Sequence, residues 1–316
     1  MLNTLMYVRA YPEFHHEVIS FCDVDVHQGI LRDLQEAGAT VSFVRQLTPD
    51  MVREMDPTVI FLKNTPVKYI QGDTGWLRKW PLVYSHHSFV RPVMACDTRI
   101  FNSRFLASQF GGMLEGMQSD IRYMGSLVDT SDLRVIKRSA KNARCVVGKV
   151  SSDHPDKFPK SLLGVFEEVV SQHCTKGIVV GAAKHWPEAS SWLDMPKCGS
   201  EPVEDFYENM DIFVYRTAPS MRETWCRVIT EAMAAGLAIV AENKGAIPEQ
   251  IDHGVNGFLC DTSEEFVQHI RTLALSPQLR YDIGMAAREK AVEQFDISML
   301  RQKTSDIVMR SAIGVM

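Results

Sequence analysis

The chain has 316 residues, 45% hydrophobic and 23% charged, and its 39 acidic and 34 basic side chains leave a net charge of −5. That balance argues against a nucleic-acid binder, whose affinity rests on neutralised phosphates, and no run of 18 apolar residues predicts a membrane span. The length exceeds the roughly 250–300 residues that one hydrophobic core supports, so two domains are expected.

The opening stretch Met1–Arg9 has no basic leader and reads as a first strand over Leu5–Val8. A helix is expected from about His27 to Ala37, closed by Gly38. Strands follow at Thr40–Val44, Thr58–Leu62, Pro81–Ser85 and Arg99–Asn102, with a short helix over Ser103–Phe110. A second series runs Cys145–Val150 (strand), Lys160–Ser171 (helix), Gly177–Val180 (strand), Glu204–Met210 (helix) and Ile212–Tyr215 (strand). It continues with a helix over Thr224–Ala235, a strand over Leu237–Ala241, and helices at Ser263–Leu275 and Pro277–Gln294. Ile297–Ala312 reads as a last helix that packs back on the first domain.

Strands alternating with helices define an α/β protein with parallel sheets, whose ligands gather at the carboxyl ends of the strands. The expected domains are 1–135, 136–295 and a terminal helix over 296–316. No Gly-x-Gly-x-x-Gly follows a strand, which disfavours a dinucleotide oxidoreductase. The seven cysteines are scattered without a Cys-x-x-Cys pair and predict reduced thiols in a cytoplasmic protein. The adjacent pairs His15-His16 and His86-His87 come without a His-Glu-x-x-His, so zinc is not expected.

Chemistry concentrates in Ala218–Gly236, read here as a helix beginning near Glu223 with Glu231 about 12 Å further along its axis. Glu231 sits among Val228, Ile229, Ala232 and Met233, where an unpaired carboxylate is costly. Either a basic side chain or a ribose diol would satisfy it. Glu223 alone would merely complement a helix dipole. A second stretch, Gly148–Lys160, follows a strand, opens a helix and carries Lys149 and Lys157. Two cations there suit a departing diphosphate; a solvated basic loop is the plainer account.

Glu223 and Glu231 with seven residues between them, then Ala232–Ala241, Asn243–Ile251 and Asp252–Leu259, resemble the paired-glutamate motif of glycosyltransferase family 4 and the segments that follow it. The resemblance covers Asn142 to about Asp261 well and the first domain loosely. It implies the GT-B fold, two facing Rossmann-like domains with a cleft between them. It implies a retaining glycosyltransferase that takes a nucleoside-diphosphate sugar and needs no metal. By the same resemblance Glu231 holds the donor ribose, Glu223 lies near the sugar, and Lys149 and Lys157 grip the diphosphate. Lys157 thereby becomes catalytic as the leaving-group clamp.

The loop Thr224-Trp225-Cys226 would present backbone N–H groups to the donor, although family members often have glycines at positions 224 and 226. In the first domain the resemblance places His87 by the sugar hydroxyls, with His86 as its rival. Gly29 answers to the family's phosphate-approach glycines; Asp23-Val24-Asp25 is an Asp-x-Asp on the wrong side for a metal. The acceptor stays open: glycan, lipid-linked glycan, protein or small molecule. A nucleotide-sugar-binding protein without transferase activity and a sugar-nucleotide epimerase of the same fold are the alternatives.

Overall fold

The computed structural model describes residues 2–21, 28–90, 94–114, 119–131, 133, 145–174 and 176–313. The chain divides into two units, Met1–Leu127 with Ile297–Met316, and Val128–Asp296.

The first unit begins with a helix, α1 (Leu2–Ala10). This corrects the strand expected over Leu5–Val8. A short apolar run has no period of its own, and here the packing decides. Leu5 and Val8, one turn apart, face Val18 and Leu34, while Met6, Tyr7 and Ala10 turn to a cluster with Val83 and Ile100. The strand falls later, at β1 (Glu17–Phe21), which pairs in parallel with β2 (Thr40–Val44) around α2 (Gln28–Glu36). The next elements are α3 (Pro49–Met55), β3 (Ile60–Lys63), β4 (Leu82–His86), β5 (Thr98–Phe101), α4 (Arg104–Ser108) and β6 (Asp120–Tyr123). Strands β3 to β6 form a four-stranded parallel sheet in chain order.

The second unit holds β7 (Val146–Val150), α5 (Lys160–Gln172), β8 (Lys176–Val180), α6 (Val203–Glu208) and β9 (Ile212–Tyr215). It continues with α7 (Arg227–Ala234), β10 (Ala238–Glu242), β11 (Phe258–Cys260), α8 (Ser263–Leu275) and α9 (Pro277–Phe295). The five strands are parallel in the order β11-β10-β9-β7-β8. Every residue of β9 and β10 is buried, as befits central strands covered on both faces. A capping box at Thr262 and Glu265 starts α8.

Helix α7 starts at Arg227, three residues later than the sequence suggests, so Glu223 lies in the preceding loop and not at a helix mouth. That loop has its own scaffold. The Ala246 N–H donates to the Glu223 carbonyl at 2.9 Å. Gly245 has φ +64, and a Cβ there would stand 2.6 Å from the same oxygen. The last helix, α10 (Ser298–Ile313), belongs to the first unit, where Leu300 and Ile307 join the α1 cluster and Thr304 meets the Tyr11 hydroxyl at 2.7 Å. Among the described residues no helix is long and apolar enough to cross a membrane.

Candidate active site

In the second unit the carboxyl ends of β7, β9 and β10 bring Lys149, Tyr215 and Glu242 to one edge of the sheet. The loop after β7 supplies Lys157 and the loop after β9 supplies Glu223. The two meet there: Lys157 Nζ is 2.6 Å from Glu223 Oε1. The Tyr215 hydroxyl joins both, 2.9 Å from Lys157 Nζ and 2.6 Å from Glu223 Oε1. With side chains 17% and 12% exposed, the pair is largely buried and keeps some contact with solvent.

Local packing sets these positions. Lys157 closes a short 3₁₀ turn, Pro155–Lys157, in which the His154 ring accepts the Asp156 N–H. The Ala218 N–H then binds the Asp156 carbonyl at 2.7 Å, tying the two loops together. Next to Lys157, Phe158 packs edge-on against Trp186, whose indole N–H donates to the Phe158 carbonyl at 3.0 Å. On the other side, buried Glu242 accepts from the Thr217 hydroxyl at 2.6 Å and pairs with Lys244 at 2.8 Å. Lys244 also donates to the Ala218 carbonyl, which pins the start of the Glu223 loop.

Lys149 lies beneath this surface. It is fully buried, its ammonium 3.8 Å from the Tyr215 ring centroid and 3.2 Å from the Arg216 carbonyl. Burial pushes its pKa down to about 7. The direct grip on a diphosphate expected of Lys149 is not seen, because the ammonium is fully buried against the Tyr215 ring.

Glu231, the fifth residue of α7, pairs with Arg227 one turn before it at 2.7 Å and accepts from the Tyr207 hydroxyl at 3.0 Å. Of the two partners the sequence allows, the structure contains the basic one. Trp225 turns inward, its indole donating to Thr230 at 3.1 Å and its ring packing on Phe295. Thr224 is half-buried beside it.

Cys226 departs from the expectation. Its N–H donates to Gln250 Oε1 at 3.1 Å, and Gln250 Nε2 returns a bond to the Cys226 carbonyl at 2.9 Å. The amide of fully buried Gln250 thus mimics a peptide partner and takes up the N–H that was expected to face the donor. The reason is burial: with the thiol inside, its backbone needs an internal partner.

In the first unit, His86 ends β4 and His87 follows it. His86 is fully buried, stacked on Phe101 and accepting from Arg99 at 3.3 Å. His87 is half-buried; its ring lies 2.8 Å from the Ser85 hydroxyl and its N–H donates to Asn64 Oδ1 at 2.8 Å. Burial, followed by the charge on Lys63, pushes the His87 pKa down to about 3, and burial beside Arg99 does the same to His86. Both rings are neutral at physiological pH. Gly29 is the second residue of α2; the residues before it, 22–27, with the Asp-x-Asp pattern, lie outside the described residues.

Tyr215, Gln250, Arg227 and Tyr207 were not singled out by the sequence. Tyr215 carried a usable signal as a polar aromatic ending a strand whose limits the sequence predicts. Gln250 follows the Ile-Pro-Glu segment, but nothing in its spacing foretells a bond to position 226.

Residues 195–290 match the family described as glycosyl transferases group 1. A D-inositol 3-phosphate glycosyltransferase of Saccharomonospora viridis is 30% identical over 278 residues, 71% of this chain and 64% of that protein. Spore coat protein SA of Bacillus subtilis is 34% identical over 96 residues, 29% of this chain and 25% of that protein. The matched stretch is thus only about a quarter of that relative. The crystal structure of Anabaena Alr3699/HepE in complex with UDP superposes with a TM-score of 0.75 at 17% identity, covering 97% of this chain and 96% of that one. The same protein is also solved with UDP-glucose. The fold is GT-B, built of two Rossmann-like domains. The segment similar to glycosyl transferases group 1 lies in the second unit.

Proposed function

We propose that this chain is a retaining glycosyltransferase that moves a sugar from a nucleoside diphosphate to an acceptor hydroxyl without a metal ion. The observation that carries the reading is the Lys157–Glu223 contact at the carboxyl edge of the second sheet, with Glu231 one step along α7. In this reading Glu231 receives the ribose hydroxyls, keeping Arg227 as its second partner. Lys157, held beside Glu223, presents its ammonium to the diphosphate as negative charge grows there. Glu223 is left facing the sugar. The HepE complexes with UDP and UDP-glucose support a uridine nucleotide as the first donor to try. Free thiols at all six described cysteines fit a cytoplasmic protein.

One observation favours a second reading, a nucleotide-sugar binder without turnover. Gln250 occupies the Cys226 N–H, which removes a backbone donor from the sugar side. Thermal shift against UDP-, GDP-, ADP- and TDP-glucose, followed by nucleotide release with and without candidate acceptors, separates the two. A ligand at 100 times its dissociation constant stabilises by about 2.7 kcal/mol. Stabilisation with no release supports the binder, and no stabilisation by any of the four defeats both readings.

A further inference from the structure

We propose that Tyr215 is a positioning residue of the transfer reaction, its hydroxyl fixing the Lys157 ammonium and the Glu223 carboxylate in a single arrangement at the donor edge. The inference rests on the glycosyltransferase reading and concerns a residue outside the paired-glutamate motif.

Proton inventory sets the direction of each bond. An ammonium only donates and a carboxylate only accepts, so one phenol between them must accept from the first and donate to the second. The phenol oxygen lies 2.9 Å from Lys157 Nζ and 2.6 Å from Glu223 Oε1, so both bonds are formed at once. Tyr215 keeps its proton: burial, then the neighbouring Cys226 and Glu223, hold the phenol well above its ordinary range.

Rigidity is the second part. Lys157 and Glu223 both lie on loops, and both have long side chains that lose much rotamer freedom when fixed. Tyr215 is the last residue of β9, bonded to β10 and fully buried, its ring parallel to that of Phe213. Its only polar atom therefore has a fixed place on the sheet, and the two mobile side chains meet at it. The same ring faces the buried Lys149 ammonium at 3.8 Å, a cation–π contact that offsets part of that charge's burial cost. A core aromatic that merely satisfied its hydroxyl would need one partner. Tyr215 holds the two oppositely charged groups of the site.

Tyr215→Phe tests this, because it keeps the ring, the core packing and the Lys149 contact while deleting one oxygen. With the nucleotide sugar that the wild-type protein consumes fastest among UDP-, GDP-, ADP- and TDP-glucose, kcat should fall at least about tenfold, since small misplacements of reacting groups cost up to about 10²-fold. Affinity for the free nucleoside diphosphate should stay unchanged. Wild-type kcat in the variant, or equal losses in kcat and nucleotide affinity, overturns the proposal. If the wild-type protein consumes none of the four, the transferase reading has failed and a crystal structure of Tyr215→Phe decides the positioning role alone. Lys157 and Glu223 parting, or taking new rotamers, supports it; an unchanged Lys157–Glu223 contact overturns it.

Discussion

Glu223 and Glu231 are eight positions apart, yet they answer to different physics. Glu223 is on a loop, fixed through its carbonyl by Ala246 and through its carboxylate by Lys157 and Tyr215. Glu231 is on a helix and is satisfied within the unit by Arg227 and Tyr207. Each Glu231 oxygen accepts one bond and has capacity for another, which is what a ribose diol needs. Replacing Glu231 by Ala should weaken nucleotide-sugar binding about ten- to a hundred-fold, the value of a charged hydrogen bond of about 1.5–3 kcal/mol. Calorimetry on a folded variant with unchanged affinity would remove Glu231 from the donor site. Lys157→Ala should behave differently. In the proposed reaction the lysine acts on charge that develops as the sugar bond breaks, so turnover should fall by more than nucleoside diphosphate affinity does. Equal losses would make it a simple anion holder.

The two histidines carry a pH prediction at the same scale. A histidine near 6.5 in the unfolded chain and near 3 in the fold binds fewer protons when folded. Stability from His86 and His87 is therefore complete above about pH 6.5 and is lost as pH falls toward the folded values. The melting temperature should drop on acidification through that window. His87→Gln keeps a polar group near Ser85 but cannot titrate, so it should flatten the dependence by up to about 1.4 kcal/mol per pH unit. An unchanged slope would mean that His87 is solvated in the native state.

At the scale of elements, the sequence is most legible where period, caps and neighbours agree. The limits of β9 and α8 coincide with the expectation, since β9 is a short β-rich run and α8 begins with a Thr-x-x-Glu box. It misreads α1, because Leu5–Val8 is apolar throughout and only the clusters around Leu34 and Val83 reveal its turn. The edge strands β6 and β11 are missed: β6 (Asp-Ile-Arg-Tyr) is mostly exposed and half charged, and the three residues of β11 are too few to show a period. Of the residues that the family resemblance singles out, Lys157 and Glu223 are in contact, while Glu231 pairs with Arg227 and Tyr207. Tyr215 and Gln250 stay hidden because their partners come from other loops.

Close backbone crossings give this scale its predictions. Gly284 in α9 passes the turn after α7, where an added Cβ would stand 2.3 Å from the Gly236 carbonyl oxygen. Backbone cannot yield as a side-chain tip does, so Gly284→Ala should destabilise despite its better helix propensity. A net loss of about 1–3 kcal/mol is expected for such overpacking, read as a lower melting temperature. Gly245→Ala meets the Glu223 carbonyl in the same way and adds strain at φ +64. Its mark should be lost turnover out of proportion to lost stability, because the atom it displaces carries Glu223. Stability and activity falling in step would mean that the loop does not position the carboxylate.

At the scale of the molecule, each unit offers a different kind of side chain at the ends of its parallel strands. The second supplies cations and carboxylates; the first supplies neutral histidines. The proposed transfer also commits to a stereochemistry. An inverting transferase needs a general base for the acceptor proton, with a pKa near the working pH. His87, held down to about 3, is a poor base at neutral pH and a serviceable hydrogen-bond partner. In retention, the bond from the anomeric carbon to the diphosphate breaks while the bond to the acceptor oxygen forms on the same face. The acceptor proton then passes to the departing phosphate oxygen, whose growing charge Lys157 faces. In the reaction proposed above no protein base is required, and Lys157 takes the place of a metal. Proton NMR of the earliest product from an α-linked donor should therefore show an α-linked sugar, at a rate that EDTA does not change. A β-linked product would transfer the proton to a protein base and overturn this mechanism. Activity lost in EDTA and restored by Mg²⁺ or Mn²⁺ would show that Lys157 does not stand alone at the leaving group.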